Sequence, residues 1–265
     1  MNIEPISSAQ NPRIKHLLAL QQKSSLRREE GLFVVEGRRE VQHCLSAGYQ
    51  IESLFYNTSA SSEPDVNHAE HVFPVTPRVY ERIAYRGSTE GVIAIVRSRQ
   101  TTLSDLSLSD SPLLIVLESV EKPGNLGAVL RTADAAQADA VIVCDPLTDL
   151  YNPNLIRASL GAFFTVPTVA CTSAECIAFL QQHAIQILTA QLQDSLPYYD
   201  TPMTPPSAIV MGTESTGLTQ QWRYAATAHI RIPMLGRLDS LNVSVSAAIL
   251  LFEAVRQRQQ QSQTK

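Results

Sequence analysis

Three short segments of the chain are rich in amide, hydroxyl, arginine and glycine residues and lie next to apolar stretches in the sequence. Amides and hydroxyls orient a substrate, arginine binds anions through a planar fork of donors, and glycine lets backbone approach a ligand closely. A purely structural loop rarely needs so many polar groups beside so apolar a helix, so these segments are candidates for a functional site. They are Asn125-Leu-Gly-Ala-Val-Leu-Arg-Thr, Ile209-Val-Met-Gly-Thr-Glu-Ser-Thr-Gly-Leu and Ile232-Pro-Met-Leu-Gly-Arg-Leu-Asp-Ser-Leu-Asn-Val-Ser-Val-Ser.

Each segment also has an explanation that needs no chemistry. Asn125 would cap a helix that follows a strand, and Asn242 would cap the last helix of the chain. Arg131 would form a surface ion pair with Asp134, three residues further along the same helix. Glu214 would be a solvated loop carboxylate. Taken one at a time, these alternatives stay open.

Two familiar nucleotide-binding loops are excluded by missing residues. Gly212 and Gly217 have the spacing of a P-loop, but Leu218 stands where the phosphate-binding lysine is required. Gly124 and Gly127 lack the third glycine and the short first gap of a dinucleotide-binding loop. ATP hydrolysis and Rossmann-type dinucleotide binding are therefore disfavoured.

Composition indicates an ordered globular protein with an uneven charge distribution. The 265 residues are 44% hydrophobic and 17% charged, with a net charge of −4. Residues 1–40 hold seven Lys/Arg against five Asp/Glu, or +2, which leaves 14 against 20, or −6, for the remainder. A polyanion such as RNA is therefore expected to meet its most favourable local field near the N-terminus.

The cysteines give no metal-binding pattern along the sequence. Only Cys171 and Cys176 are close, and no second pair matches them, although zinc sites usually need two such pairs. We therefore expect no metal. Free thiols suit a reducing compartment, and the sequence shows neither a signal-peptide pattern nor an apolar run of membrane-spanning length. We expect a cytoplasmic protein that does not enter a membrane.

Alternating strand and helix patterns predict an α/β protein of two domains. Residues 1–100 hold a leading amphipathic helix and a small α/β sandwich, and the Ser-, Thr- and Asp-rich stretch 101–112 is a linker. Residues 113–265 form the second domain, whose strands are continuously apolar, as in a parallel sheet covered on both faces. A long helix over 242–258 closes the pattern.

Together and in order, the three segments resemble the three motifs of the SpoU/TrmH family, RNA ribose 2'-O-methyltransferases of the SPOUT class. The matching elements are Asn125-x-Gly-x-x-x-Arg-Thr, Gly212-x-Glu-x-x-Gly-Leu, Ile232-Pro-Met and Ser240-Leu-Asn-Val-Ser, with Arg157-Ala-Ser-Leu-Gly-Ala between the first two. The resemblance covers residues 111–258, and one such segment alone would be far less specific. Asn11-Pro and Phe33-Val-Val-Glu-Gly resemble the family's substrate-binding domain.

The resemblance implies a fold and a set of site residues. The catalytic domain would be a parallel sheet with a trefoil knot, preceded by an α/β domain of ribosomal-protein L30e-like fold. The cofactor would be S-adenosylmethionine, and the implied cofactor-binding residues are Met211, Gly212, Ile232, Met234 and Leu241. The implied catalytic residues are Asn125, Arg131, Glu214, Ser240 and Asn242.

The implied substrate is structured RNA, with ribosomal RNA favoured over transfer RNA. RNA contacts are expected from Arg27, Arg28, Arg38, Arg39 and Arg157. A homodimer through the C-terminal domain is also implied. One rival hypothesis is a non-catalytic RNA-binding factor that has kept the fold, and another is a nucleotide-binding enzyme of a different class.

Overall fold

A computed structural model of the chain describes residues 4–60, 67–85, 90–213 and 216–263. The chain divides into two compact units, of which the first comprises residues 1–100 and 149–165 and the second 101–148 and 166–265. Segment 149–165 thus leaves the second unit, packs within the first and returns. The predicted second domain, residues 113–265, included this segment.

Ten α-helices and eleven strands are found within the described ranges. The helices are α1 (Pro12–Gln22), α2 (Ser24–Glu30), α3 (Arg38–Ser46), α4 (Pro77–Ile83), α5 (Pro123–Ala135), α6 (Pro153–Ser159), α7 (Ala162–Thr165), α8 (Ser173–Gln182), α9 (Gln220–Ala225) and α10 (Val243–Gln263). The strands are β1 (Leu32–Glu36), β2 (Ile51–Asn57), β3 (Ala69–Val75), β4 (Val92–Arg97), β5 (Leu113–Glu118), β6 (Ala140–Cys144), β7 (Thr168–Cys171), β8 (Gln186–Ala190), β9 (Leu196–Pro197), β10 (Ser207–Met211) and β11 (Ala228–Arg231).

The first unit is built on a four-stranded sheet of order β1-β4-β2-β3. β4 runs antiparallel to both β1 and β2, and β2 runs parallel to β3. The predicted leading helix forms α1, which starts at Pro12 after the Asn11 side chain accepts a bond from the Arg13 amide. Its apolar face, spaced three residues apart at Ile14, Leu17 and Leu20, is buried in the core of this unit.

Aromatic side chains explain why segment 149–165 belongs to the first unit. Tyr151 packs on the ring of Phe33 in β1, with centroids 4.4 Å apart. Phe164 makes an edge contact with Tyr49 at 5.4 Å and is 6.4 Å from Phe33. Burial of these rings contributes both apolar area and favourable ring geometry. The pattern is invisible along the sequence, because its members are more than 100 residues apart.

The structure contradicts the assignment of Arg27 to RNA. Its side chain is 4% exposed and lies 2.6 Å from the carboxylate of Asp149, which is itself 11% exposed. The same guanidinium donates to the carbonyl of Leu20 at 2.6 Å. A buried charge needs such partners, and here they tie α2 to the start of the inserted segment. Arg27 is therefore a structural residue of the first unit.

The second unit is a seven-stranded sheet of order β7-β6-β5-β10-β8-β11-β9, and every strand pair in it is parallel. β5, β6 and β10 are buried along their whole length, which confirms the predicted α/β fold with a parallel sheet. Because the strands are parallel, their carboxyl ends share one edge. The trefoil knot stays a prediction.

The order of the strands reverses beside β5. The chain proceeds from β5 outward to β6 and β7, then returns to form β8 and β10 on the other side of β5. Ligands of open α/β sheets bind at the carboxyl ends of the strands where the order reverses.

None of the described helices combines the length and the apolar character needed to cross a bilayer.

We predict that Arg27→Ala lowers the free energy of unfolding by about 3 kcal/mol, because it leaves the Asp149 carboxylate buried without its cation. Arg28→Ala is the matched control: Arg28 is the next residue of α2 and is exposed, so its loss should cost less than about 0.5 kcal/mol. Urea denaturation of the two variants makes the comparison. Equal stability of both variants would contradict a structural role for Arg27.

Candidate active site

A cavity of about 350 Å³ opens at the carboxyl edge of the seven-stranded sheet. Its walls come from the segments that follow β8, β10 and β11 and from the first turns of α10. Twelve of the 21 described lining residues are apolar or glycine, and the other nine are polar or charged. The lining residues are Ala190, Gln191, Leu192, Gln193, Met211, Gly212, Thr213, Thr216, Gly217, Leu218, Arg223, Ile230, Arg231, Ile232, Met234, Asp239, Ser240, Leu241, Val243, Ser246 and Leu250.

All five residues that the sequence assigns to the cofactor line this cavity. Met211 and Gly212 enter at the end of β10, and Ile232 and Met234 enter just after β11. Leu241 enters from the turn before α10. Ser240, which the sequence assigns to catalysis, lies in the same wall. The structure thus brings the second and third motifs together around one space.

The loop after β10 is folded so tightly that only glycine fits at its start. A Cβ placed on Gly212 would lie 2.3 Å from the carbonyl carbon of Gly217 and 2.5 Å from the amide nitrogen of Leu218. Both are backbone atoms and cannot rotate aside. Thr213 closes the loop by pairing with Gly217, whose amide donates to the Thr213 carbonyl at 3.1 Å. The loop is therefore a compact wall of the cavity.

A buried carboxylate fixes the far end of the same loop. Glu118, the last residue of β5, accepts bonds from the amide of Thr219 at 2.8 Å and from its hydroxyl at 2.6 Å. The hydroxyl of Ser173 lies 3.2 Å from the same carboxylate and also accepts a bond from the indole of Trp222. Glu118 is a functional candidate that sequence reasoning missed, since it looks like the polar end of an ordinary strand.

A second, smaller cavity of about 160 Å³ adjoins the first. The two share Gly212, Thr213 and Val243, and the second is otherwise lined by the segment that follows β5 and by Asn125. The amide of Asn242 donates to the Asn125 side-chain oxygen at 3.2 Å, which links the first motif to the third. This places the Asn125 side chain beside the loop that closes the main cavity.

The capping explanation holds for one of the two asparagines. Asn242 accepts from the Ser244 amide at 2.9 Å and from its hydroxyl at 2.6 Å, so it caps α10 while its amide group reaches Asn125. Asn125 lies inside the first turn of α5, whose N-cap is Lys122. Asn125 is therefore not the cap that the structural explanation requires.

Two further residues, Arg131 and Glu214, were assigned to catalysis by resemblance, and neither is among the described residues that line the two cavities. Arg131 lies on the exposed side of α5, nearly two helical turns beyond Asn125, and is not among the residues that line either cavity. Glu214 lies outside the described residues. Of the other residues assigned to catalysis, Ser240 lines the main cavity, Asn125 lines the second cavity, and Asn242 is hydrogen-bonded to Asn125. The side chain of Arg131 lies on the surface of α5.

Two arginines of the cavity were not expected from the sequence. Arg223 of α9 and Arg231 at the end of β11 both line the main cavity. The Nε of Arg223 is buried and has no hydrogen-bond partner within the described part of the chain. A buried donor without a partner is costly, whereas the guanidinium groups of the two arginines bring positive charge to the cavity lining. Arg231 could have been found from the sequence if β11 had been recognised as a strand, because it is the last residue of that strand and so lies at the carboxyl edge of the sheet.

The arginines assigned to RNA all lie in the first unit. Arg28 and Arg39 are exposed, and the Nε of Arg38 donates to the carbonyl of Glu90 at 2.9 Å. Arg157 of α6 lies over the ring of Tyr85, with 3.4 Å between guanidinium and ring centroid. Arginine stacked on an exposed aromatic ring is a surface that suits unpaired bases and phosphates.

The SpoU rRNA Methylase family matches residues 112–252, and the MRM3-like substrate binding domain matches residues 11–94. Among the relatives, the chain is 37% identical over 190 residues to the 23S rRNA (guanosine-2'-O-)-methyltransferase RlmB of Vibrio parahaemolyticus, covering 69% of this chain and 77% of that protein. It is 24% identical over 250 residues to the 23S rRNA (guanosine(2553)-2'-O)-methyltransferase RlmP of Bacillus subtilis, covering 94% and 98%.

Solved structures give the same picture over nearly the whole chain. An RNA 2'-O ribose methyltransferase superposes with a TM-score of 0.84 at 38% identity, over 97% of this chain and 100% of that one. The AdoMet-bound rRNA methyltransferase from Sinorhizobium meliloti superposes with a TM-score of 0.87 at 30% identity, over 96% and 98%. With its motif residues gathered around one cavity and its family match over more than half its length, this chain belongs to the SpoU rRNA methylase family.

Proposed function

We propose that this protein methylates the 2'-hydroxyl of a guanosine ribose in 23S ribosomal RNA. As a member of its family it is an RNA ribose 2'-O-methyltransferase that uses S-adenosylmethionine. The observation that carries the assignment is the union of Met211, Gly212, Ile232, Met234 and Leu241 around one cavity. Ribosomal RNA is favoured because the relatives reported above are named for guanosine in 23S rRNA.

The main cavity fits the cofactor in size and chemistry. Its volume of about 350 Å³ lies within the range typical of small-molecule sites, and the apolar side chains in its mixed lining, such as Ile232 and Leu241, suit an adenine ring. Gly212 exposes backbone where any side chain would collide, and the positive charge of Arg223 and Arg231 in the lining suits the cofactor's carboxylate. S-adenosylmethionine supplies an activated methyl group on a good leaving group. The chain must align the acceptor oxygen and remove its proton.

We assign the acceptor ribose to the second cavity. Asn125 would hold the sugar there, with its own orientation set by the amide of Asn242. The shared residues Gly212 and Thr213 put this position next to the cofactor cavity. Ser240 and, by resemblance, Glu214 would complete the hydrogen bonds around the reacting groups.

Arg131 is proposed to bind the substrate phosphate and the 2'-hydroxyl together. An isolated arginine is a poor base, because its pKa lies above about 12. Its exposed position on α5 suits contact with a large substrate better than contact with a small cofactor. Two roles remain for the kinetics to separate: acceptance of the hydroxyl proton with help from the phosphate, or stabilisation of the developing negative charge.

The first unit is proposed to select the RNA. Its exposed Arg28 and Arg39 and the stacked pair of Arg157 and Tyr85 are the groups that would meet phosphates and bases. Phosphate contacts make binding weaken steeply with salt. Such a role, together with four free cysteines, suits a protein of the reducing cytoplasm, and we propose that location.

We also propose a homodimer through the second unit. α10 packs against α5 on one side but leaves Val245 and Phe252, seven residues apart and so on one face, 48% and 47% exposed. Leu238 and Leu241, just before the helix, are exposed as well. An apolar stripe of this kind is typical of a protein interface.

Gly212→Ala is expected to weaken S-adenosylmethionine binding by about 10- to 100-fold, because the added methyl group displaces the loop backbone. Gly236→Ala is the control: it lies in the third motif, and a Cβ there would meet nothing within 4 Å. Calorimetry on both variants and on the native protein gives the affinities, with ATP as a ligand that should not bind. Native-like affinity of Gly212→Ala, or tight binding of ATP, would refute the cofactor assignment.

Arg131→Lys is expected to lose nearly as much turnover as Arg131→Ala, about 10²-fold or more, because an ammonium lacks the planar fork that grips two groups. Cofactor affinity should barely change. Asp134→Ala tests whether Arg131 acts only as the partner of Asp134 in a structural ion pair. If Arg131 binds substrate, this variant should leave turnover intact and lower the free energy of unfolding by about 0–1 kcal/mol. Single-turnover methylation of 23S rRNA supplies the rates. A near-normal rate for the Lys variant would exclude the fork.

Phe252→Asp should convert the protein from a dimer to a monomer, because it places a charge in the proposed apolar interface. Tyr224→Asp is the matched control, since Tyr224 is 85% exposed on α9, a helix that packs against α8. Light scattering at micromolar concentration gives the masses. A native protein that is already monomeric, or a dimer that survives Phe252→Asp, would contradict this interface.

A further inference from the structure

Three cysteines that are scattered along the sequence meet in the second unit. Cys144 ends β6, Cys171 ends the neighbouring β7 in register with it, and Cys176 lies in the first turn of α8. All three Sγ atoms lie within 4.8 Å of one another, and those of Cys144 and Cys171 are 4.0 Å apart. Parallel pairing of β6 with β7 supplies the third thiol that the sequence spacing did not reveal.

The cluster lies in an apolar setting with one accessible member. Cys144 and Cys176 are fully buried in a core that also contains Ile142, Leu180 and Trp222. Cys171 is only partly buried and gives the cluster a route to solvent. Such surroundings do not suit ions that need several water or carboxylate ligands, but they suit ions that prefer sulfur ligands.

The spacing of the sulfur atoms suits a three-coordinate ion. Three thiolates around one ion at about 2.3 Å would be about 4.0 Å apart in a trigonal plane. One pair already has this separation, and the others need only a small contraction. Within the described residues no histidine or carboxylate joins the group as a fourth ligand, which disfavours the closed tetrahedral site that structural zinc requires.

Two carboxylates add negative charge beside the cluster. Asp145 follows Cys144 directly and Glu175 precedes Cys176, so both would attract a cation.

We propose that Cys144, Cys171 and Cys176 form a binding site for one copper(I) ion. Copper(I) is soft and accepts low coordination numbers from thiolates. Binding would replace the S–H protons, which pass to the solvent, and no electron is transferred. The site is separate from the cavity assigned to the cofactor, so the proposal does not depend on the methyltransferase function.

The test is a competition titration of the reduced protein under anaerobic conditions against copper(I) held by a chromophoric chelator. The native protein should remove one equivalent, and Cys171→Ser should lower its affinity by about 100-fold or more. Cys44→Ser is the control, because Cys44 is a buried free thiol of the first unit and should leave the titration unchanged. Circular dichroism checks that both variants are folded.

X-ray absorption of the copper-loaded native protein supplies a second readout that needs no variant. Three sulfur neighbours around copper are expected. The proposal fails if the native protein removes no copper from the chelator, if Cys171→Ser binds as the native protein does, or if two or fewer sulfur neighbours are found.

Discussion

The close approach of backbone to backbone at Gly212 is the constraint on which the site depends. The loop that follows β10 returns so near its own start that a single methyl group there would collide with Gly217 and Leu218. This tight fold lets Gly212 and Thr213 line both cavities, so the proposed cofactor and acceptor positions are neighbours. The carboxylate of Glu118 holds the other end of the loop at Thr219 and thereby ties it to the central strand β5.

Parallel strand register supplies the rest of the arrangement. Because β5, β8, β10 and β11 end at one edge, segments separated by more than 100 residues in sequence converge there. The third motif then turns into α10, whose cap Asn242 also contacts Asn125 in α5. One asparagine thus serves helix capping and site assembly together, and a structural explanation of that residue does not exclude a functional one.

The sequence predicted those features that depend on local pattern or on a motif taken as a whole. The parallel sheet follows from continuously apolar strands, and motif residues such as Gly212 do meet around one cavity. Features that depend on contacts between distant parts of the chain escaped prediction. Arg27 was assigned to RNA because charge alone does not reveal that Asp149, 122 residues away, neutralises it. The inserted segment, Glu118 and the meeting of Cys144 with Cys171 likewise depend on tertiary packing or strand register that periodicity does not encode.

The most direct test of the account is a map of ribose methylation in ribosomal RNA from cells with and without this protein. The account requires a 2'-O-methylguanosine of the large-subunit RNA to disappear with the protein and to return when the native protein is resupplied. It also requires that base methylation be unchanged, since the site is built around a ribose hydroxyl. An unchanged ribose map, or the loss of a methyl group from a base, would contradict the central claim.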